Sequence, residues 1–160
     1  MCSLNVLIRG TKVGKTNEPV SKEIPNFALQ LFITLTDMKK VIATTSAPAA
    51  IGPYSQALDL GNMVFVSGQI PVDPATGAVA EGIAAQAEQS CKNVGAILEA
   101  AGTDFTKVLK TTCFLADMGD FAAFNEVYAK YFTSKPARSC VAVKALPKNV
   151  LCEIEAIAVK

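Results

Sequence analysis

The chain has 160 residues, 51% of them hydrophobic, and a formal net charge of +1. This length predicts one compact domain, and the near-neutral charge without a basic run argues against nucleic acid as a partner. Because the sequence contains no histidine, Ser-His-Asp and Cys-His catalysis and histidine-based metal sites are excluded.

Residues 1–37 differ in composition from the rest, with scattered charges, two prolines and an apolar stretch at 27–35. That stretch is too short to span a bilayer and too far from the N-terminus for a secretory signal, so a membrane is not an expected partner. We interpret these residues as an extension or the product of an upstream start, with an organelle-targeting peptide as the alternative. The domain is expected to occupy residues 38–160.

The first half of this domain predicts strands at 40–44, 57–60 and 63–67, the last two joined by a tight Gly-Asn hairpin at 61–62. A proline-containing turn is predicted at 73–77. Apolar residues spaced by three or four predict a helix over 81–101, with Gly102 ending it.

The second half predicts a strand at 105–115, a helix over 121–131 with capping residues at 117–120, and strands at 141–145 and 150–159. The order is a hairpin, two strand–helix units and a closing hairpin. This predicts an α+β fold with a single sheet and both helices on one face. The other face carries apolar side chains without cover, which predicts self-association with clefts between subunits.

The cysteines number five, are widely spaced and include no Cys-x-x-Cys pair. This pattern is typical of buried, reduced thiols rather than disulfides or a zinc site. We therefore expect a reducing, cytoplasmic compartment and no bound metal.

Charged residues in two apolar segments mark a candidate site at Arg138, Glu153 and Glu155. Such groups are costly to bury and are expected to face a cleft or an interface. An arginine binds a carboxylate through two parallel hydrogen bonds, which predicts a small anionic ligand such as a keto or imino acid. A cross-strand ion pair between Arg138 and either glutamate explains the same residues equally well.

Several motifs, in order along residues 38–160, carry a resemblance to a known family. They are Ala-Pro-Ala-Ala-Ile-Gly-Pro-Tyr-Ser-Gln at 47–56, Val-Ser-Gly-Gln-Ile-Pro-Val-Asp-Pro at 66–74, Lys-Thr-Thr-Cys-Phe-Leu-Ala-Asp at 110–117, Pro-Ala-Arg-Ser-Cys at 136–140 and Glu-Ile-Glu-Ala-Ile-Ala at 153–158. With them the chain resembles the RidA (YjgF-type) imine deaminases. The resemblance implies a chorismate-mutase-like homotrimer with sites at subunit interfaces. It also implies hydrolysis of 2-iminobutanoate and 2-iminopropanoate to 2-oxo acids and ammonia, without a cofactor.

The resemblance also implies catalytic roles. Arg138 would bind the substrate carboxylate, helped by the backbone at Gly68, where a missing Cβ lets an anion approach closely. Glu153 would hold and orient the attacking water. The structural alternatives are a bulge glycine at Gly68 and an ion-pair partner of Arg138 at Glu153.

Four further residues match substrate-binding positions of the family. Tyr54 would cover the alkyl chain, Ser67 and Asn125 would contribute polar contacts, and Cys140 would contact the ligand through its backbone. The alternatives are a packed loop aromatic at Tyr54, a locally bonded hydroxyl at Ser67, a solvent-facing amide at Asn125 and a structural thiol at Cys140.

The sequence departs from the family pattern at one position, and two alternative functions are left open. Lys135 stands beside the arginine motif where an apolar residue can occur, which leaves substrate preference undetermined. The rival functions are a translation-inhibiting endoribonuclease of the L-PSP type, known among relatives of the family, and a non-catalytic trimer that binds small carboxylates or acts like a chaperone.

Overall fold

The computed structural model describes residues 39–160, so the interpretation of residues 1–37 concerns a segment outside the described residues. The elements are β1 Lys40–Ile42, β2 Ala57–Asp59, β3 Met63–Gln69, α1 Ile83–Ala100, β4 Val108–Leu115, α2 Phe121–Tyr131, β5 Ala137–Ala142 and β6 Cys152–Val159. Within this part of the chain, no helix is long and apolar enough to cross a bilayer.

The six strands form one sheet in the order β1-β2-β3-β6-β4-β5. All neighbours are antiparallel except β4 and β5, which are parallel. Alternate side chains of β3, β4 and β6 join residues of both helices in one buried core. The predicted α+β sheet with two helices on one face is therefore confirmed.

The ends of two predicted elements also match. The hairpin at 61–62 is closed by the Leu60 amide, which donates to the Met63 carbonyl at 2.8 Å. At the end of α1, Gly102 has φ 79°. Its amide donates to the Glu99 carbonyl, and the Thr103 amide donates to the Leu98 carbonyl. These two bonds form the Schellman motif that a glycine at this position favours.

The predicted closing hairpin is wrong. The fifth strand is Ala137–Ala142 rather than 141–145, and it pairs in parallel with β4, from which α2 separates it in the chain. The sixth strand lies between β3 and β4, where both of its edges are paired. The expected turn at 147–149 is a short 3₁₀ segment, with Lys148 and Asn149 at φ 57° and 55°, and it leads the chain away from β5.

Apolar side chains cross the sheet face opposite the helices. The register aligns Val41, Leu58, Phe65 and Ile157 in one row over four strands. Val41 is 56% exposed and Phe65 is 38% exposed, although both are large hydrophobic residues. This exposed apolar face predicts contact with a second copy of the chain.

Candidate functional site

Arg138 lies on β5, the edge strand of the sheet, on the side of the helices. Its register partner on β4 is Thr111, which is buried. The Nη1 group donates to Asn125 Oδ1 on α2 at 2.8 Å. The guanidinium carbon lies 4.7 Å from the centroid of the Tyr128 ring and 5.6 Å from that of Phe121. These contacts fix the guanidinium plane while leaving other N–H donors available to a ligand.

Tyr128 is a support for Arg138 that sequence reasoning missed. Its hydroxyl shares a buried 2.7 Å hydrogen bond with Thr111 Oγ1, and its ring stacks on Phe132 with centroids 4.2 Å apart. Burial raises the pKa of Tyr128 to about 12, so the hydroxyl stays neutral at physiological pH. The helical spacing of the aromatic residues predicted core packing, and it gave no signal for a contact with the arginine.

A cavity of about 520 Å³ opens beside this guanidinium, and we call it the arginine cavity. Its wall includes Asn125, Tyr128, Phe132, Lys135 and Arg138. Neutral, aromatic and cationic side chains together make it suited to a small organic anion.

Glu153 lies on the other face of the sheet. It alternates along β6 with the buried residues Cys152 and Ile154. A β-bulge in β3 places Gly68 directly opposite the carboxyl group. A Cβ on Gly68 would overlap Glu153 Oε1 and lie 2.7 Å from the carboxyl carbon. Gly68 is thus both a bulge glycine and a point of close approach, and any larger residue would displace the carboxylate.

The environment of Glu153 favours its protonated form. Burial raises the pKa of this carboxyl above its ordinary value, and the neighbouring charge of Glu155 raises it further. A carboxylate with a raised pKa is a stronger base than that of an ordinary glutamate. Such a group is suited to general acid and base catalysis.

Tyr54 and Ser67 lie on the Glu153 side of the molecule. They line a cavity of about 500 Å³ together with Phe65 and Glu155. Tyr54 is 48% exposed. The Ser67 hydroxyl donates to the carbonyl of Ser55 at 2.7 Å, so it is bonded locally, as the structural alternative predicts.

Gln56 holds the loop that carries Tyr54, and sequence reasoning missed it. The side chain is 5% exposed. Its Oε1 accepts from the Thr44 amide at 2.7 Å, and its Nε2 donates to the carbonyls of Thr44, Ala47 and Pro48. A buried amide that satisfies four backbone groups fixes the loop, although its position in the sequence predicts nothing of the kind.

Cys140 lies half-buried on β5, in register with Cys113 of β4. Burial raises the pKa of the Cys140 thiol, while the charge of Arg138 acts in the opposite direction. The thiol is therefore protonated at neutral pH, which fits a structural role better than a nucleophilic one.

The predicted site residues thus form two separate half-sites. The arginine half-site contains Arg138, Asn125 and Cys140 on the helix side of the sheet edge. The glutamate half-site contains Glu153, Gly68, Ser67 and Tyr54. Strand β4 separates β5 from β6, so the two half-sites stand about 10 Å apart and on opposite faces.

Within residues 39–160, Arg138 forms a salt bridge with neither Glu153 nor Glu155. The salt bridges of this region join Lys92 to Glu88 and Lys160 to Asp59, so the cross-strand ion pair of Arg138 with a glutamate does not form within one chain. The same residues contain no cluster of histidine, cysteine or acidic side chains able to hold a metal ion.

The chain is similar to proteins of a known family. The model of the family described as Endoribonuclease L-PSP matches residues 44–160. A Salmonella typhimurium protein named 2-iminobutanoate/2-iminopropanoate deaminase is 60% identical over 127 residues, which cover 77% of this chain and 99% of the relative. The Escherichia coli strain K12 protein of the same name is 58% identical with the same coverage.

Two solved structures from Escherichia coli share the fold. The YjgF gene product matches with a TM-score of 0.74 and 57% identity, covering 76% of this chain and 98% of that chain. TdcF with bound serine matches with a TM-score of 0.74 and 52% identity, covering 76% and 99%. Serine, the ligand of that relative, is a small carboxylate.

Proposed function

The chain belongs to the Endoribonuclease L-PSP family, and from this premise we propose that it hydrolyses 2-iminobutanoate and 2-iminopropanoate to 2-oxo acids and ammonia. The observation that carries the proposal is the guanidinium of Arg138, which Asn125 and Tyr128 orient toward a cavity sized for a small anion. Relatives at 58–60% identity bear the name of this activity.

The complete site forms between two copies of the chain in a homotrimer. Three observations support this assembly. The half-sites lie on opposite faces of one sheet, β5 leaves one edge unpaired among the described strands, and the outer face exposes the row that includes Val41 and Phe65. Packing that covers this face would bring the arginine half-site of one copy to the glutamate half-site of the next.

The reaction follows from the groups present. Arg138 pairs with the substrate carboxylate. Glu153 accepts a proton as water adds to the imine carbon, which yields a carbinolamine. It then returns the proton to the nitrogen. As the C–N bond breaks, the hydroxyl group loses its proton to Glu153 and becomes the carbonyl of the 2-oxo acid, and ammonia leaves. The sequence of steps adds water and needs no oxidant.

The decay of 2-iminobutanoate tests this function. A threonine dehydratase generates the imine in situ, and semicarbazide competes for it. The chain is expected to accelerate hydrolysis in proportion to its concentration. This lowers the initial rate of semicarbazone formation, because the 2-oxo acid reacts with semicarbazide more slowly than the imine does. An initial rate that does not change with added protein would contradict the proposal.

The description of the matching family makes endoribonuclease activity a second candidate function. A ribonuclease requires contacts to phosphates and bases, and the sequence has no histidine and a net charge of only +1. We therefore rank deamination above ribonuclease activity. Incubation of the protein with a radiolabelled single-stranded RNA tests the second candidate directly.

Changing Gly68 to alanine is expected to lower kcat/KM for 2-iminobutanoate by about tenfold or more, because the new methyl group forces the Glu153 carboxylate away from its position. Steady-state kinetics with Gly77→Ala as the control checks this. Gly77 has φ 74° and a Cβ there meets no neighbouring atom within 4 Å, so its alanine variant controls for backbone strain without the displacement of a carboxylate. Equal losses in both variants would remove the link between Gly68 and Glu153.

A further inference from the structure

The arginine cavity has two cations on its wall. Lys135 and Arg138 are the charged residues that line it, and no carboxylate lies among the lining residues. Neither cation takes part in a salt bridge within residues 39–160. The side-chain partner of Arg138 in this region is the neutral amide of Asn125. Two uncompensated positive charges in one cavity favour a ligand with two negative charges over one with a single charge.

The backbone holds Lys135 in an unusual conformation. Its φ is 55°, a left-handed value that is uncommon for a residue with a side chain, and Pro136 follows it. The Lys135 amide donates to the Phe132 carbonyl at 3.1 Å, and the Ser134 hydroxyl anchors the same turn to the Phe105 carbonyl at 3.2 Å. Strained residues of this kind cluster at ligand clamps.

Chain geometry keeps the two cations near each other. Three residue steps separate Lys135 from Arg138, so their α-carbons are at most about 11 Å apart. The planar fork of arginine matches one carboxylate, and the flexible lysine stem carries a point charge toward a second. Both charges can therefore contact the ends of one short diacid.

We propose that the preferred substrates are imino acids with a second carboxylate, such as 2-iminoglutarate. Arg138 binds the carboxylate next to the imine, and Lys135 binds the distal one. This inference rests on the proposed deaminase function and narrows its substrate class. Lys135 is a specificity-determining residue, while the hydrolytic steps remain with the groups described above.

The test compares 2-iminoglutarate, generated by a glutamate oxidase, with 2-iminobutanoate. Wild type is expected to show the higher kcat/KM for 2-iminoglutarate. Lys135→Met should lower that value by about tenfold and abolish the preference for 2-iminoglutarate over 2-iminobutanoate. Lys135→Arg should retain the preference. Lys130→Met is the matched control, because it removes an exposed lysine of α2 that does not line the cavity.

A second measurement separates this inference from the proposed function. Titration calorimetry compares the binding of 2-oxoglutarate and 2-oxobutanoate by wild type and Lys135→Met. Hydrolysis of 2-iminobutanoate with no preference for the diacid, or a preference that survives in Lys135→Met, overturns the inference alone. If wild type hydrolyses neither imine, the deaminase function fails. Tighter binding of 2-oxoglutarate that Lys135→Met abolishes would then support the role of Lys135, and equal binding would overturn it.

Discussion

Replacing Arg138 by alanine is expected to lower kcat/KM for 2-iminobutanoate by about 10²- to 10⁴-fold. The variant loses two charge-assisted hydrogen bonds to the substrate carboxylate, each worth roughly 1.5–3 kcal/mol. The methyl side chain leaves the Tyr128 ring in place, because its bond to Thr111 and its stacking on Phe132 do not involve the arginine. Steady-state kinetics in the semicarbazide assay measures the loss.

Stability and charge need separate controls for this variant. Arg138 lies on an edge strand and is only partly buried, so the thermal unfolding midpoint is expected to stay close to that of wild type. Arg138→Lys keeps the charge but loses the planar fork, and it should fall between wild type and Arg138→Ala. If Arg138→Ala retains the wild-type kcat/KM, the arginine does not bind the substrate.

The sequence predicts those parts of the fold that depend on local patterns. The period of the apolar residues predicted both helices, and β-rich runs predicted the central strands. The glycines at 61 and 102 end their elements as expected, with φ of 91° and 79°. Each of these features is determined by residues close together in the chain.

The order of the last strands could not be predicted in this way. Whether β5 pairs with β6 or with β4 depends on how α2 packs across the sheet, which is a long-range contact. The wrong strand order also implied that Arg138 and Glu153 lie closer together than they do. As partners in a hairpin they could have met within one chain, whereas the observed order places β4 between their strands.

The candidate site was predicted best where a charged residue stands in an apolar segment. Arg138 and Glu153 are conspicuous because burying them is costly. Tyr128 and Gln56 belong to residue types that are common in cores and loops, and only tertiary contacts reveal what they hold in place. The chemistry of the side chains therefore indicated the candidate residues, and the structure was needed to find the side chains that hold them in place.

Replacing Glu153 by glutamine is expected to lower kcat by about 10²- to 10⁴-fold, the usual contribution of a general acid–base group. Binding of 2-oxobutanoate should be retained, because Arg138 binds its carboxylate and glutamine has nearly the same size as glutamate. Glu99→Gln is the control, since it removes an exposed carboxylate of α1 that belongs to neither half-site. A loss in Glu99→Gln equal to that in Glu153→Gln would assign the effect to surface charge.

The pH dependence of kcat/KM distinguishes a catalytic role of Glu153 from a structural one. Glu153 acts first as a base, so activity requires its ionised form and falls as the carboxyl becomes protonated. Because burial raises its pKa, the acid limb of the kcat/KM profile is expected at a higher pH than for an ordinary glutamate. In Glu153→Gln that limb should disappear from the residual activity. A limb that persists unchanged would mean that another group titrates, and Glu153 would then be a structural neighbour of Gly68 rather than the catalytic base.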